Sequence, residues 1–181
     1  MNIICETPRL LLRRFTLHDA PLLLTLNSKP EVLKFIKETP LADIAGAEKV
    51  LSEIILPQYT LYGLGRWAMI EKQNNKFVGW CGLKLRPELN NEVDLGYRLE
   101  PAFWGKGYAT EAAAESLRFG FLEKKLAEIT GRAHIHNIAS QIVLQKVGLQ
   151  YVTDEIMEDY PLKTYRLSQQ AYRQLRAEKG I

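Results

Sequence analysis

The sequence predicts an α/β (α+β) fold, a mixed sheet of about six to seven strands flanked by helices, in a single domain spanning residues 1–181. Three observations predict it. The first half carries two strand patterns, Trp67–Glu71 and Phe77–Leu85, joined by the turn Gln73-Asn74-Asn75-Lys76, which is a hairpin signature. The second half alternates strand, helix, strand, helix and strand patterns from Val93 onward. A chain of 181 residues with 46% hydrophobic content suits one domain with a full core.

Taken in order, Leu10–Phe15 reads as the opening strand. Thr16 is an N-cap with Asp19 three residues on and Pro21 in the first turn of a helix reaching about Asn27. Ser28-Lys29-Pro30 breaks that helix, and Val32–Thr39 reads as loop. Thr39-Pro40 opens a second helix, with Leu41, Ile44, Leu51, Ile54 and Ile55 at helical spacing and Pro57 as its end. After the hairpin, Pro87–Asn91 forms a turn. The next strand then places Val93, Leu95, Tyr97 and Leu99 on one face and Asp94, Gly96, Arg98 and Glu100 on the other. Gly96 inside that strand signals a bulge or a close approach by another group.

A helix follows over Thr110–Lys124, then a strand over Glu128–Ile135. A strand–helix–strand unit of this kind pairs its strands in parallel through a right-handed crossover. Asn137 caps a further helix that Gly148 stops. Leu149–Met157 and Tyr160–Leu167 are the last two strands, and Ser168–Lys179 is a polar terminal helix.

Between the Val93–Leu99 strand and the Thr110 helix lies Trp104-Gly105-Lys106-Gly107-Tyr108-Ala109-Thr110-Glu111-Ala112. Strand, glycine turn and helix start together aim backbone N–H groups and a helix N-terminus at one spot, which attracts phosphate oxygens. Glycine allows the close backbone approach that such binding needs. A ligand carrying a pyrophosphate is one reading; a tight connection without a ligand is the other. The GxxxxGK[ST] phosphate loop is absent, and a dinucleotide fingerprint fails because its third glycine position is Thr110.

The remaining composition narrows the function. Lys and Arg total 24 against 21 Asp and Glu, and the resulting +3 suits an anionic cofactor but is too small to argue for nucleic acid. Cys5 and Cys81 are too few for a disulfide framework, and Cys81 in an apolar run reads as a small buried hydrophobe. His18, His134 and His136 form no zinc spacing with them, so no metal is expected. Without a signal core or a membrane-length apolar run, the default location is cytoplasmic.

The runs Asp94-Leu95-Gly96-Tyr97-Arg98-Leu99-Glu100-Pro101 and Trp104 to Ala112 closely resemble the acyl-CoA-binding motif of the GCN5-related N-acetyltransferase (GNAT) family. Asn137-Ile138-Ala139-Ser140 with Leu144-Gln145-Lys146-Val147-Gly148-Leu149 is similar to that family's downstream motif. The opening Glu6-Thr7-Pro8-Arg9-Leu10-Leu11-Leu12-Arg13 resembles the start of its ribosomal-protein N-terminal (RimJ/RimL-type) branch. The pieces occur in order over most of the chain. Two departures are visible: Trp104 stands where the family's loop begins with Gln or Arg, and Leu144 stands where a tyrosine acid is frequent.

The resemblance implies an acetyl-CoA-dependent enzyme that acetylates a primary amine by direct attack through a tetrahedral intermediate, the acceptor being a protein N-terminal α-amine. Polyamine or amino-sugar acceptors, and a non-catalytic module that binds CoA thioesters, are the alternatives. It implies a V-shaped gap between two parallel strands, with the pantetheine arm along Tyr97, Arg98 and Leu99 and the pyrophosphate on the N–H groups of Gly105, Lys106, Gly107, Tyr108, Ala109 and Thr110. Trp104 would border the cofactor and Asn137 would contact it. An N–H near Leu95 or Gly96 would polarise the thioester carbonyl. Asp94 is the candidate base, against a purely structural pairing with Arg98, and Ser140 the candidate acid for the leaving thiolate. A homodimer through the late strands or terminal helix is a further expectation.

Overall fold

Eight strands form one sheet in the order β1-β2-β3-β4-β5-β6-β8-β7. The computed structural model describes residues 2–180. The strands are β1 Ile3–Glu6, β2 Leu10–Arg14, β3 Gly65–Glu71, β4 Lys76–Arg86, β5 Glu92–Leu99, β6 Glu128–His134, β7 Gln150–Met157 and β8 Tyr160–Ser168. The helices are α1 Ala20–Asn27, α2 Pro30–Leu33, α3 Ile44–Val50, α4 Leu56–Tyr62, α5 Tyr108–Arg118, α6 Ile138–Lys146 and α7 Gln169–Lys179. All neighbouring strands run antiparallel except β5 and β6, the one parallel pair.

The sheet exceeds the expected six to seven strands by β1. This strand is a short edge element with a register shift between Ile3 and Cys5, and such a strand leaves little periodicity to read. The segment read as loop contains α2, whose Pro30 occupies an early helical position. The second helix starts later than expected, at Ile44, because Asp43 Oδ1 accepts the Gly46 N–H at 2.8 Å. It also does not end at Pro57. Residues Leu51–Ile55 form a π turn, and the Leu56 N–H bonds the Leu51 carbonyl five residues back. That widened turn accommodates a ring without an N–H. The helix stops instead at Gly63, whose φ of 62° is left-handed.

Side-chain alternation sorts the two faces of the sheet. Trp67, Cys81 and Tyr97 share one face, where Trp67 meets Phe119 edge-on at 5.0 Å and Cys81 Sγ lies 3.4 Å from Ser116 Oγ of α5. Burial pushes the Cys81 thiol up to about 11 and the Cys5 thiol up to about 12, so neither is a ready nucleophile at neutral pH. The other face carries Arg66, Trp80, Asp94 and Arg98, and is covered by α1 and the chain after α2: Arg98 Nη1 donates to Asn27 Oδ1 at 2.6 Å and to Glu38 Oε2 at 2.9 Å. Trp67, Phe15, Phe121, Leu83 and Leu117 anchor a continuous core. Among the described residues no helix is long and apolar enough to cross a membrane.

Candidate active site

The parallel strands β5 and β6 pair only at Asp94 with Thr130 and Leu95 with Gly131. Beyond Leu95 they part. β5 continues to Leu99 against β4, and β6 continues to His134 against β8. The β6-side edge of Gly96–Leu99 therefore has no strand partner, and apart from the Leu99 carbonyl, which accepts from Trp104, its outward backbone groups have no strand to pair with. The ladder between β4 and β5 keeps register through Gly82 opposite Gly96, so the strand is not bulged at Gly96.

The glycine is there for a close approach. A Cβ on Gly96 would lie 2.6 Å from Arg66 Nη2. Arg66 stands opposite Gly82, which stands opposite Gly96, so its guanidinium crosses a lane free of side chains. At its end Arg66 Nη2 meets Asp94 Oδ2 at 2.6 Å, while Nη1 donates to the carbonyls of Gly82 at 2.6 Å and Asp94 at 2.8 Å. Asp94 is thus paired with Arg66 and not with Arg98. The Trp80 ring lies 5.2 Å from the Arg66 guanidinium and 5.1 Å from that of Arg98.

A cavity of about 350 Å³ opens over this lane and is lined by Asp94, Gly96, Tyr97, Arg98, Asn137 and Ser140 among others. Asn137 caps α6, its Oδ1 accepting the Ser140 N–H at 3.1 Å. That cap sets Ser140 in the first turn, where its Oγ lies 2.9 Å from Tyr97 Oη and its carbonyl accepts from the same hydroxyl at 2.8 Å. Burial pushes the Tyr97 hydroxyl well above its usual range, against the pull of its bonds to Ser140, so it remains a donor. The roof is Phe35 stacked on His134 at 5.6 Å, with His134 4.7 Å from Tyr160. Burial, then the charge of His136, lowers the His134 pKa. Among the described residues no group of three His, Cys, Asp or Glu side chains could hold a metal ion.

The glycine loop lies beyond the far end of β5. Leu99 and Trp104 connect the two places, Trp104 Nε1 donating to the Leu99 carbonyl at 2.8 Å with the ring half exposed. Gly105 and Gly107 have φ of 72° and 81°, the left-handed region that favours glycine. Among the described residues no turn, loop or cap hydrogen bond uses the N–H groups of Gly105, Lys106 or Gly107. The first turn of α5 adds the N–H groups of Tyr108, Ala109 and Thr110, which a helix leaves without internal partners. The Tyr108 side chain turns inward to donate to Glu71, and Lys106 Nζ sits 5.3 Å over the Phe103 ring. The cradle is therefore made of main chain. A Cβ on Gly105 would meet nothing within 4 Å, so the space beside that residue is open.

Sequence reasoning did not find Arg66, Asn27, Glu38 or Arg9. Arg9 stood in the opening motif without a role, and Arg66 had one signal: two glycines, Gly82 and Gly96, in strands that pair. The partners of Arg98 come from α1 and a loop and have no local signature.

The open strand edge and the unpaired amides of the glycine loop form one continuous path, and the comparisons show the family. The family model for the Acetyltransferase (GNAT) domain matches residues 9–150. The chain belongs to this family and is an acetyl-CoA-dependent N-acetyltransferase. It is 30% identical over 162 residues to the uncharacterized N-acetyltransferase p20 of Bacillus licheniformis, covering 89% of each chain. The fold is similar to spermidine N-acetyltransferase of Vibrio cholerae in complex with CoA and spermine, with a TM-score of 0.77, 16% identity and coverage of 92% and 99% of the two chains. It is equally similar to RimL, the ribosomal L7/L12 alpha-N-protein acetyltransferase in complex with coenzyme A, with a TM-score of 0.77, 16% identity and coverage of 92% and 98%. At that identity the likeness is one of fold.

Proposed function

We propose that the acceptor is a protein N-terminal α-amine, with Asp94 as base and Ser140 as acid. The observation that carries this reading is that one cavity joins Asp94 and Ser140 across the parted strands. The diphosphate of acetyl-CoA fits the open amides of Gly105–Thr110, and its pantetheine arm the unpaired edge of Tyr97, Arg98 and Leu99. Asn137 and Trp104 border that path. The amine nitrogen attacks the thioester carbonyl, the C–N bond forms, and the oxyanion is held by an N–H near Leu95 or Gly96. The C–S bond then breaks. Asp94, oriented by Arg66, takes the amine proton through water, and the Ser140 hydroxyl, hydrogen-bonded to Tyr97, supplies the proton to sulfur.

The chemistry of the wall favours a single amine over a polycation. Lys37, Arg66, Arg86, Arg98 and Arg132 face Glu38, Asp94 and Glu158 on the cavity wall. Glu88 offsets Arg86, and Glu92 and Glu155 offset Arg132, which leaves the wall near neutral where a polyamine needs an acidic one. An α-amine, with a pKa of about 7.7–8.0, is partly neutral at physiological pH and needs little help from a base, whereas a lysine at about 10.4 needs more. An acetyl-CoA turnover screen over short N-terminal peptides, polyamines and amino sugars tests this. Peptides are expected to lead. A polyamine turned over with the highest kcat/KM would overturn the acceptor, and an Asp94→Asn enzyme with an unchanged pH–rate profile would remove Asp94 from the reaction.

A further inference from the structure

Arg9, in the link between β1 and β2, lies 97 residues from the glycine loop in sequence and directly against it in space. Its Nη1 donates to the Lys106 carbonyl at 2.8 Å. Its Nε meets Glu111 Oε2 at 2.6 Å, and its backbone N–H donates to Glu111 Oε1 at 2.9 Å. The guanidinium lies 4.3 Å from the centre of the Tyr108 ring, and its Nη2 stands 3.4 Å from where a Cβ on Gly107 would be. Thr7 Oγ1 adds a bond to Glu111 Oε1 at 2.5 Å. Every residue from Lys106 to Tyr108 is thus touched by one side chain from another part of the fold.

We propose that Arg9 is a positioning residue for the donor's diphosphate: by binding the Lys106 carbonyl and the Glu111 carboxylate it turns the loop's carbonyl inward and its N–H groups outward to the phosphates. The inference rests on the assignment of this loop to acetyl-CoA. Three features support a role in loop shape rather than in stability. The Arg9 side chain is 45% exposed, and ion pairs of that exposure contribute little to folding. A peptide plane whose carbonyl is fixed has its N–H fixed on the opposite side, so one bond to Lys106 orients the next amide along. The loop has no other side-chain hydrogen bond among the described residues that would set this orientation. Burial pushes the Glu111 carboxyl up, but its bonds from Thr7 and Arg9 together outweigh that and hold it below the usual carboxylate range, so it is charged whenever the enzyme works.

Steady-state kinetics of Arg9→Ala and Arg9→Lys with two donors test this, acetyl-CoA and S-acetyl-pantetheine, the second lacking the diphosphate and nucleoside. With acetyl-CoA, Arg9→Ala is expected to raise KM about tenfold or more with kcat within about twofold, and Arg9→Lys to fall between it and the wild type. With S-acetyl-pantetheine the three enzymes are expected to match. Equal losses with both donors, or no change in the acetyl-CoA KM, would overturn the role of Arg9. A wild type that neither binds nor uses acetyl-CoA would instead overturn the function on which it rests. Dephospho-acetyl-CoA separates the diphosphate from the 3′-phosphate: the Arg9→Ala penalty is expected to persist with it, and its disappearance would contradict a diphosphate role.

Discussion

The donor end and the acceptor end of this site are built from different materials. At the proposed donor end the available groups are main-chain amides on a glycine loop and a helix start, plus a strand edge without a strand partner. At the proposed acceptor end they are side chains from separate elements: Arg66 from β3, Asp94 and Arg98 from β5, Glu38 and Phe35 from the chain after α2, and Ser140 from α6. A backbone site depends on φ and on glycine, so few substitutions reach it, and those that do act strongly. A side-chain site is assembled from many small terms, so substitutions there should redistribute specificity before they abolish the reaction.

The largest expected effect therefore falls on the loop. Gly107→Val places a β-branched residue at φ 81° and crowds Arg9. It should raise the KM for acetyl-CoA about a hundredfold while the acceptor KM stays put. Titration calorimetry with CoA checks the same loss at equilibrium. A valine enzyme of wild-type affinity would show that the loop is not the cradle.

Next comes Asp94→Asn, which keeps the shape but removes the negative partner of Arg66. A fall in kcat of about ten- to a hundredfold is expected, greatest at low pH where the amine is protonated. Ser140→Ala should cost less, about three- to tenfold in kcat, because a thiolate with a pKa near 8.5 leaves without much assistance. Comparing it with Tyr97→Phe sharpens the point. If Tyr97 supports Ser140, the double variant should lose no more than the larger single loss, which a double-mutant cycle reads directly.

Phe35→Ala opens the roof over His134 and should change acceptor KM about threefold, with acetyl-CoA KM unaffected. The converse pattern would erase the division between the two ends. The smallest effect is one of pH. The folded Glu111 carboxyl lies below its unfolded value, so its contribution is complete at neutral pH and is lost as pH falls through the folded value. Thr7→Val, which removes one of its bonds, should lower Tm by about 2–4 °C at pH 7. The gap to wild type should shrink on acidification below the ordinary carboxylate range.

The contrast also explains what could be read from the sequence. The strand, glycine turn and helix start of the proposed donor end were legible because their signal is local. Gly105 and Gly107 flank a lysine between a strand and a helix. The positions of β2 to β8 along the chain followed from alternation and turn residues, but not the place of β8 between β6 and β7 in the sheet. At the proposed acceptor end Asp94 and Ser140 could be named from the sequence but their surroundings could not, since the partners of Arg98 lie 71 and 60 residues away at Asn27 and Glu38. Asp94 had two basic candidates, and only the register of Arg66 with Gly82 and Gly96 decides between them. Pro57 misled because tertiary packing selected a π turn that local rules do not anticipate.

The central claim is that main-chain N–H groups at the start of α5 hold the donor. Backbone amide correlation spectra recorded while acetyl-CoA is added test it most directly. The largest shifts are expected at Gly105, Lys106, Gly107 and Tyr108, with a second group along Gly96–Leu99. Saturating acetyl-CoA that leaves those four amides unmoved would contradict it.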